Sequence, residues 1–285
     1  MNLQNNGLAR VRLPSLPPPL SAPAVSAHRR GQTGERALVF SACRITAESV
    51  TVDWWGRTLL KGVTLGIERN QVTALAGPPG SGKSTFLRCL NRANDLVENC
   101  RVGGLIRFDG VDIHHPDVDT VRLRNRIGMI FPCPNPYPKS IFENIAHGPR
   151  VHGLVRSREE EKELVLGSLR KVGLLGEVGN HLDRLGPSLS PDQQQRLCIA
   201  RALALGAEVL LLDDPCRMLD SAASAKIEAL IAELRSGVTL VVATRSLEQA
   251  ARLSPRVGVF HLGTLIEWGH SGRMFSEIEA IKYTV

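Results

Sequence analysis

A nine-residue segment that begins at Gly77 constrains the fold of this chain more than any other part of the sequence. It matches the pattern G-x-x-x-x-G-K-[ST], in which backbone N–H groups surround phosphate groups. The segment consists of Gly77, Pro78, Pro79, Gly80, Ser81, Gly82, Lys83, Ser84 and Thr85. Residues 71–76 before it have the pattern of a buried strand, and residues 85–90 have the pattern of a helix. This strand–loop–helix context favours a phosphate-binding loop over a glycine-rich turn that happens to precede a lysine.

The chemistry of this segment predicts how it binds a triphosphate. The glycines let several N–H groups point at one anion, and the following helix adds the positive end of its dipole. Lys83 is expected to reach the β- and γ-phosphates as a mobile point charge. The Ser84 hydroxyl is expected to complete the coordination of Mg²⁺. The segment therefore predicts a site for ATP and magnesium.

Composition and charge fit a folded globular protein of 285 residues, of which 43% are hydrophobic. The formal charge is +7, but four arginines precede the first acidic residue, Glu35, so most of the excess lies in the N-terminal segment. The remainder lacks a basic stripe with interleaved aromatic residues, and we expect no nucleic-acid partner. The six cysteines lack C-x-x-C spacing and are interpreted as reduced thiols. No run approaches the roughly 18 uncharged residues of a membrane span.

Residues 1–47 are predicted to be a disordered tail, because they are rich in Pro, Ala, Ser and Arg. The prolines within residues 13–20 exclude a helix or a paired strand there. A secretory signal that is cleaved near Ala27 is the competing interpretation, and the prolines in its apolar part argue against it. An organellar transit peptide and a misassigned start codon stay open. A nucleotide-binding domain is predicted for residues 48–285.

Apolar runs that alternate with helical patterns predict a parallel sheet covered by helices on both faces. The strands predicted after the phosphate-binding segment are residues 104–110, 126–131, 208–214 and 237–244. Helical periodicity in residues 140–175 indicates an inserted helical subdomain of about 135–188, and residues 189–204 predict a further helix. The pattern of residues 50–67 instead predicts β-strands around a turn at Gly56. The predicted fold class is α/β, a P-loop NTPase with a RecA-like core, an antiparallel β subdomain and a helical subdomain.

Asp213 and Trp55 are further candidates for contact with the nucleotide. Asp213 ends an apolar run, where a carboxylate at a strand tip can hold Mg²⁺ through water. An acid that simply ends a strand is the alternative, but the combination with Lys83 favours the functional interpretation. Trp55 lies just before the turn at Gly56 and is expected either to fill a core or interface position or to stack on a purine ring.

The order of these motifs resembles that of the ATP-binding subunits of ABC transporters, over about residues 50–275. The resemblance rests on the segment at Gly77, on the run that starts Leu189-Ser190-Pro191-Asp192-Gln193, and on the strand of residues 209–213. The run Asn-Pro-Tyr-Pro-Lys-Ser-Ile of residues 135–141 and the Asp-Pro-Cys of residues 214–216 are similar to the ATPases of bacterial phosphate importers.

This resemblance implies that two such subunits enclose two ATP molecules, each between the phosphate-binding loop of one subunit and the signature helix of the other. Ser190 and Gln193 are then expected to contact the nucleotide of the partner, and Trp55 is expected to stack on adenine. The implied partners are permease subunits in the inner membrane and a second ATPase subunit, identical or different. The implied location is peripheral, on the cytoplasmic face of that membrane, and the implied activity is ATP-driven phosphate import.

The signature sequence departs from the L-S-G-G-Q of that family, because Pro191 and Asp192 replace its two glycines. Ser190 can still cap the helix, and proline is favoured at the first helical position. Proline removes one N–H, however. A carboxylate about 4 Å from a γ-phosphate is expected to repel it by about 4 kcal/mol at an effective dielectric constant of about 20. Closure of two subunits on ATP is expected to be weakened.

Four further departures concern the positions at which hydrolysis takes place in the family. They are Asp214 for the catalytic glutamate, Pro132 for a glutamine, Arg245 for a histidine, and Arg217-Met218-Leu219-Asp220 for S-A-L-D. The shorter side chain of Asp214 matters because a displacement of about 1 Å can lower a rate about 100-fold. Because Asp213 and the phosphate-binding segment are intact, we expect Mg-ATP to bind and to be hydrolysed slowly or not at all.

Two hypotheses remain. In the first, the protein is a working ATPase subunit of a phosphate importer, in which Asp214 polarises water and Arg245 acts at the γ-phosphate. In the second, it is a non-hydrolysing relative that holds ATP and docks on a permease or on another ATPase subunit as a regulatory part.

Overall fold

The computed structural model describes residues 43–271, and most of the predicted N-terminal tail, residues 1–42, lies outside this range. The first strand nevertheless begins at Cys43, within the segment predicted to be disordered. Residues 43–47 pair with the second strand, and the side chains of Ile45 and Ala47 are fully buried. The boundary predicted at residue 47 is therefore wrong, because the apolar residues that start this strand follow the proline-rich segment without a break in composition.

The described range forms alternating strands and helices with the following bounds. The strands are β1 (Cys43–Trp54), β2 (Arg57–Glu68), β3 (Val72–Ala76), β4 (Cys100–Phe108), β5 (Val111–Asp112), β6 (Ile127–Ile130), β7 (Val209–Asp213), β8 (Thr239–Thr244), β9 (Arg256–His261) and β10 (Thr264–His270). The helices are α1 (Lys83–Leu90), α2 (Thr120–Arg126), α3 (Ile141–Val151), α4 (Arg158–Lys171), α5 (Leu175–Val178), α6 (Pro191–Ala204), α7 (Ser221–Leu234) and α8 (Leu247–Leu253). Two short 3₁₀ helices lie at Ala93–Leu96 and Gly186–Ser188.

The larger sheet has the strand order β10-β9-β3-β8-β7-β6, and its strands from β9 to β6 are parallel. Every residue of β3, β7 and β8 is buried, because both faces are covered. Leu210 and Leu212 pack with α3, α4, α6 and α7, whereas Leu211 faces the other way, toward α1 and the smaller sheet. This arrangement brings the carboxyl ends of β3, β7 and β8 to one edge, where the phosphate-binding segment begins.

The smaller sheet is antiparallel and has the order β2-β1-β4-β5. An inter-sheet cluster of Arg44, Phe108, Asp109, Arg126 and Glu208 connects it to the larger sheet. Glu208, just before β7, contacts both guanidinium groups, and Nη2 of Arg126 lies 2.9 Å from Asp109. The guanidinium carbons of Arg126 and Arg44 lie 4.4 and 5.3 Å from the centre of the Phe108 ring. Both arginine side chains are only 11% exposed, so these ion pairs are largely shielded from water.

Helices α3, α4 and α5 pack on α6 through apolar side chains. The helical periodicity predicted over residues 140–175 corresponds to separate helices: α3 ends before Gly153, which has φ +64°, and α4 starts after Ser157. Ser140 and Ser157 accept hydrogen bonds from the N–H groups of Glu143 and Glu160, as N-cap residues do. The assignment of residues 135–188 to a separate subdomain stays a prediction.

Within residues 43–271, no helix combines the length and the apolar character that a membrane-spanning segment requires.

Candidate nucleotide-binding site

The phosphate-binding segment connects β3 to α1, as the sequence predicts. Gly77 and Gly82 have φ values of +147° and +106°, which side chains disfavour. A Cβ atom on Gly77 would lie 2.2 Å from the carbonyl oxygen of Phe260, and one on Gly82 would lie 2.7 Å from Leu60 Cδ2. The loop therefore packs tightly against β2 and β9, and only glycine fits at these two positions. This packing fixes the path of the loop backbone and therefore the directions in which its N–H groups point.

The Lys83 ammonium lies inside the loop, and the residue is 7% exposed. Nζ donates hydrogen bonds to the carbonyl oxygens of Gly77 and Pro78, at 2.7 and 2.9 Å, and to Ser81 Oγ at 3.1 Å. Burial lowers the pKa of Lys83, while the nearby charges of Asp214 and Asp213 oppose that shift. Phosphate oxygens are stronger acceptors for an ammonium than carbonyl groups are, so the same Nζ can be transferred from the loop to a nucleotide.

Ser84 and Asp213 meet at the start of α1. The Ser84 hydroxyl donates to Asp213 Oδ1 at 2.8 Å, although 129 residues separate them along the chain. Asp213 is 3% exposed, and burial raises its pKa, whereas the hydrogen bond from Ser84 acts in the opposite direction. A hydroxyl and a buried carboxylate form an oxygen donor set that suits Mg²⁺. The residues present therefore fit Mg²⁺ together with a triphosphate.

This pair is not a complete metal site without the nucleotide. Residues 43–271 contain no cluster of three or more His, Cys, Asp or Glu side chains that could hold a metal ion. Magnesium in protein sites commonly keeps several waters and takes substrate phosphate oxygens as further ligands. We therefore expect the metal ion to bind together with the nucleotide.

Asp214 and Arg245 form an ion pair beside this donor set. Nε of Arg245 lies 2.9 Å from Asp214 Oδ2, and the two side chains are 46% and 16% exposed. The pair arises because β7 and β8 are adjacent and parallel, with Asp213 aligned with Ala243, so that both residues follow strand ends. In the first of the two hypotheses from the sequence, Asp214 polarises water and Arg245 acts at the γ-phosphate. The structure instead pairs them with each other.

The signature residues form a second cluster at the start of α6. Ser190 is the N-cap residue and Pro191 occupies the first helical position, as expected. The Ser190 hydroxyl donates to Asp192 Oδ1 at 2.6 Å, and the Ser190 N–H donates to Gln193 Oε1 at 3.2 Å. Arg196 donates to Asp192 Oδ2 at 2.7 Å. The signature hydroxyl is thus hydrogen-bonded within its own chain.

This geometry corrects the predicted repulsion between Asp192 and a partner's γ-phosphate. The Asp192 side chain is 12% exposed and its charge is paired with Arg196. Burial raises the pKa of Asp192, but the Ser190 hydrogen bond and the Arg196 guanidinium outweigh it, so the pKa lies below its usual value. The carboxylate is therefore ionised but screened, and about 4 kcal/mol overstates its effect on a phosphate. The sequence change still removes hydrogen-bond donors for an anion: Pro191 has no N–H, and the Ser190 hydroxyl already donates to Asp192.

Glu177 and Arg196 complete this cluster and were missed from the sequence. Arg196 forms a bidentate pair with Glu177, at 2.7 and 3.0 Å, and Gln193 Nε2 donates to Glu177 Oε2 at 2.8 Å. The spacing of Asp192 and Arg196, four residues on one helix, was a signal for one of these contacts. Glu177 lies on α5, and no local pattern in the sequence connects it to α6.

Trp55 lies in the turn between β1 and β2, and it is 68% exposed. The pairing of Trp54 with Arg57 leaves Trp55 and Gly56 as the two loop residues, with φ values of +49° and +75°. Positive φ at both positions is the pattern of a type I′ turn. The exposure excludes the core position considered for this side chain. The stacking of Trp55 on adenine stays a prediction.

The fold and the site define a P-loop NTPase, in which a lysine from the loop and an acidic strand end meet at one edge of a parallel sheet. The family model described as ABC transporter matches residues 60–217, more than half of the chain. The chain therefore belongs to the ABC transporter family and is an ATP-binding component of such a transporter.

Two solved structures show the same fold. The first is cbiO1 from Clostridium perfringens, described as part of the ABC transporter complex cbiONQ; it is 26% identical, with a TM-score of 0.73, over 85% of this chain and 94% of that one. The second is a bacterial Atm1-family ABC exporter with ATP bound, at 24% identity and a TM-score of 0.70. That match covers 87% of this chain but 43% of the exporter, and at this identity it supports the fold alone.

Proposed function

We propose that this chain is the ATP-binding, energy-coupling subunit of an ABC importer, of the kind that imports inorganic phosphate, and that it hydrolyses ATP slowly or not at all. The observation that carries the proposal is the Asp214–Arg245 ion pair beside an intact phosphate-binding loop. The loop supports binding of the nucleotide, whereas the ion pair removes the carboxylate that would activate water.

In the proposed binding of ATP and Mg²⁺, each residue at the edge of the sheet has a role. The N–H groups of the non-proline residues among 77–85 surround the phosphates, and Lys83 leaves the carbonyl groups of Gly77 and Pro78 for phosphate oxygens. Ser84 and Asp213 hold Mg²⁺, which neutralises phosphate charge when it is bound. Trp55 is the candidate for contact with adenine.

The proposed loss of ATP hydrolysis depends on whether a general base is available to the attacking water. Asp214 is the carboxylate nearest to Asp213 along the chain, and its Oδ2 is engaged by Arg245 at 2.9 Å. A guanidinium bound to a carboxylate oxygen occupies an acceptor position that an attacking water molecule would otherwise use. Pro132, at the position of the family's glutamine, offers no side-chain amide. Both observations favour slow or absent turnover.

One surface of the described structure is a candidate site for attachment to a permease. A cavity of about 180 Å³ lies where β6, α3 and α6 meet, and its described lining contains Arg124, Tyr137, Arg201 and Leu205 and no carboxylate. The proline-rich loop of residues 131–138 borders it. We assign this cavity to a short cytoplasmic segment of a permease with an acidic and an apolar side chain. Such docking would place the subunit on the cytoplasmic face of the inner membrane.

A second candidate function is a regulatory or docking subunit that holds ATP without hydrolysis. The internal hydrogen bonds of Ser190 and Asp192 favour it, because this chain then contributes little to the nucleotide of a partner. In a dimer with an intact ATPase subunit both composite sites would be altered: one would contain Asp214 and Arg245, and the other Pro191 and Asp192.

The deciding experiment measures Mg-ATP affinity and steady-state hydrolysis on the purified full-length protein. The proposal expects micromolar to millimolar binding that Lys83→Ala abolishes, together with turnover no greater than that of the variant. Brisk hydrolysis that requires Lys83 would contradict the loss of turnover and support a working ATPase. Absence of binding would contradict the whole proposal. Phosphate uptake by cells that lack the gene, compared with complemented cells, tests the solute.

The partner assignments need a separate experiment. Co-expression with candidate ABC permease subunits should yield a complex, and Arg201→Glu in the cavity should disrupt it. Arg158→Glu on the exposed start of α4 is the matched control and should leave the complex intact. Disruption by both variants, or by neither, would argue against the cavity as the docking site.

Dimerisation tests the signature cluster. Replacing Pro191 and Asp192 by glycine and Asp214 by glutamate should strengthen ATP-dependent association of two subunits, measured by analytical ultracentrifugation. Asp192→Gly alone should have a small effect, because Arg196 already screens that carboxylate. An unchanged dimerisation constant in the triple variant would refute the interpretation that these positions limit closure.

A further inference from the structure

We propose that residues 13–20 of this chain, Leu-Pro-Ser-Leu-Pro-Pro-Pro-Leu, dock on an exposed tryptophan patch of the same molecule and compete there with ATP. The tryptophan patch consists of Trp54, Trp55, Leu96 and Val97. The docking itself needs no nucleotide, whereas the competition rests on the contact between Trp55 and adenine proposed above.

The tryptophan patch lies on two neighbouring loops at one end of the antiparallel sheet. The Trp55 N–H donates to the carbonyl oxygen of Asn99 at 3.3 Å, and Trp54 is aligned with Cys100, the first residue of β4. The turn between β1 and β2 therefore lies beside the loop that precedes β4. Single exposed apolar side chains are common, but a group of them on adjacent loops is typical of an interaction site. The exposed fractions are 43% for Trp54, 68% for Trp55, 75% for Leu96 and 37% for Val97.

The chemistry of the tryptophan patch suits a proline-rich ligand. Surfaces lined by aromatic residues bind proline-rich segments, because proline fixes φ and the segment loses little conformational entropy on binding. Residues 13–20 consist of prolines, leucines and one serine, and they contain no charged residue. The leucines and the proline rings can pack on the indole rings, while carbonyl oxygens of the segment can accept hydrogen bonds from the indole N–H groups.

The length of the chain before β1 allows this contact within one molecule. Strand β1 has 12 residues from Cys43 to Trp54, so its two ends lie about 35–40 Å apart. Residues 21–42, which connect the proline-rich segment to β1, can span up to about 70–80 Å. A tether of this kind gives a local concentration of the order of 1 mM. The chain's own segment is therefore favoured over a separate proline-rich protein at a lower concentration.

Docking of the segment is expected to weaken ATP binding, because a covered Trp55 ring cannot stack on adenine. The apparent affinity for ATP falls in proportion to the fraction of molecules whose tryptophan patch is free. If the segment covers about 90% of the molecules, ATP binding is weakened about tenfold. ATP at a sufficient concentration displaces the segment in turn, since the two ligands share Trp55.

The first experiment detects docking without nucleotide, through the indole N–H resonances of full-length protein labelled with ¹⁵N. The chain contains three tryptophans, and phenylalanine substitutions assign their signals. A triple variant that changes Leu13, Leu16 and Leu20 to serine should shift the signals of Trp54 and Trp55 and leave that of Trp268 in place. A synthetic peptide of residues 10–22, added to this variant, should restore the wild-type shifts. The same peptide with its prolines replaced by alanine should bind more weakly.

The second experiment measures ATP affinity by calorimetric titration of the same proteins. The triple leucine variant should bind ATP about three- to tenfold more tightly than the wild type, because it frees Trp55. Trp54→Ala should also raise the affinity, since it weakens docking but keeps the Trp55 ring. The matched control changes three apolar residues outside the segment to serine and should alter neither the resonances nor the affinity. The control residues are Leu3, Leu8 and Val25.

The outcomes separate this docking from the proposed function. Unchanged Trp54 and Trp55 signals in the triple leucine variant would overturn the docking, whether or not the protein binds ATP, and would leave the patch to another partner. Equal shifts in the control variant would overturn it as well, since the effect would not be specific to residues 13–20. Wild-type shifts that change on dilution would show that the segment docks on a second copy and not within one molecule. Shifted signals with unchanged ATP affinity would overturn the competition. If no variant binds ATP, the proposed function is wrong, and the resonances still decide the docking.

Discussion

Replacement of Trp55 should change nucleotide affinity and stability in opposite directions. Trp55 lies in the left-handed region, with φ +49°, and is 68% exposed, so its ring contributes little packing to the fold. Left-handed backbone costs a non-glycine residue about 1–2 kcal/mol. Glycine removes that cost but loses about 0.5–1 kcal/mol to the entropy of the unfolded chain. Trp55→Gly should therefore stabilise the protein by roughly 0.5–1 kcal/mol, a rise of about 1–4 °C in Tm.

The same substitution should weaken ATP binding. Stacking of a base on an aromatic side chain contributes about 1–3 kcal/mol, so its loss raises the Kd of ATP by about 5- to 150-fold. Trp55→Ala separates the two effects, because alanine lacks the ring but keeps the backbone strain: its ATP affinity should match that of Trp55→Gly, without the gain in Tm. Calorimetric titration and thermal melting measure both quantities, and Trp54→Ala is the control for loss of an exposed tryptophan.

Two results would refute this reasoning. Unchanged ATP affinity in both variants would show that the ring does not contact the nucleotide. Equal melting temperatures for Trp55→Gly and Trp55→Ala would show that the turn stores no strain.

Three further predictions concern the metal site, the inter-sheet cluster and the signature cluster. Ser84→Ala and Asp213→Asn should reduce the enhancement of ATP affinity by Mg²⁺ at least tenfold while binding of metal-free ATP falls less; equal losses with and without Mg²⁺ would contradict the metal role. Arg126→Met should lower the free energy of unfolding by about 2–3 kcal/mol, measured by urea denaturation, because it leaves Asp109 and Glu208 without that partner in a largely shielded cluster. The Arg196 guanidinium holds the pKa of Glu177 below its usual value, so stability from this pair is present above pH of about 4.3 and is lost as pH falls through the lower folded-state pKa. Glu177→Gln should flatten the acid limb of a plot of Tm against pH, and an unchanged limb would argue against that linkage.

The sequence predicted the strand–loop–helix at Gly77 from a strict local pattern, and it assigned Ser84 and Asp213 to one magnesium site, which requires the proximity found between these two side chains. A glycine-rich motif fixes the loop, and an apolar strand that ends in an acid delivers its carboxylate to the same edge of the sheet. The fold class followed from the alternation of strands and helices. These are short-range patterns, and one sequence is enough to recognise them.

Three features could not be predicted, since they depend on contacts between distant segments. The ion pair of Asp214 and Arg245 requires that β7 and β8 be neighbours with matched ends, and 31 residues separate the two side chains along the chain. The contact of Glu177 on α5 with Arg196, the residue that screens Asp192, joins two helices that no local pattern connects. The start of β1 at Cys43 depends on pairing with β2, which composition does not indicate.

The inter-sheet cluster bears on which parts of this protein can move when a nucleotide binds. Arg126 and Arg44 tie the strand ends of one sheet to the other through shielded charges and the ring of Phe108, so the two sheets are expected to move as one body. A movement caused by nucleotide binding is therefore expected in the helices beyond the loop of residues 131–138. Hydrogen–deuterium exchange with and without Mg-ATP should report changes in α3 to α6 and none in β1, β4 or β7; protection changes within those strands would show that the sheets shift against each other.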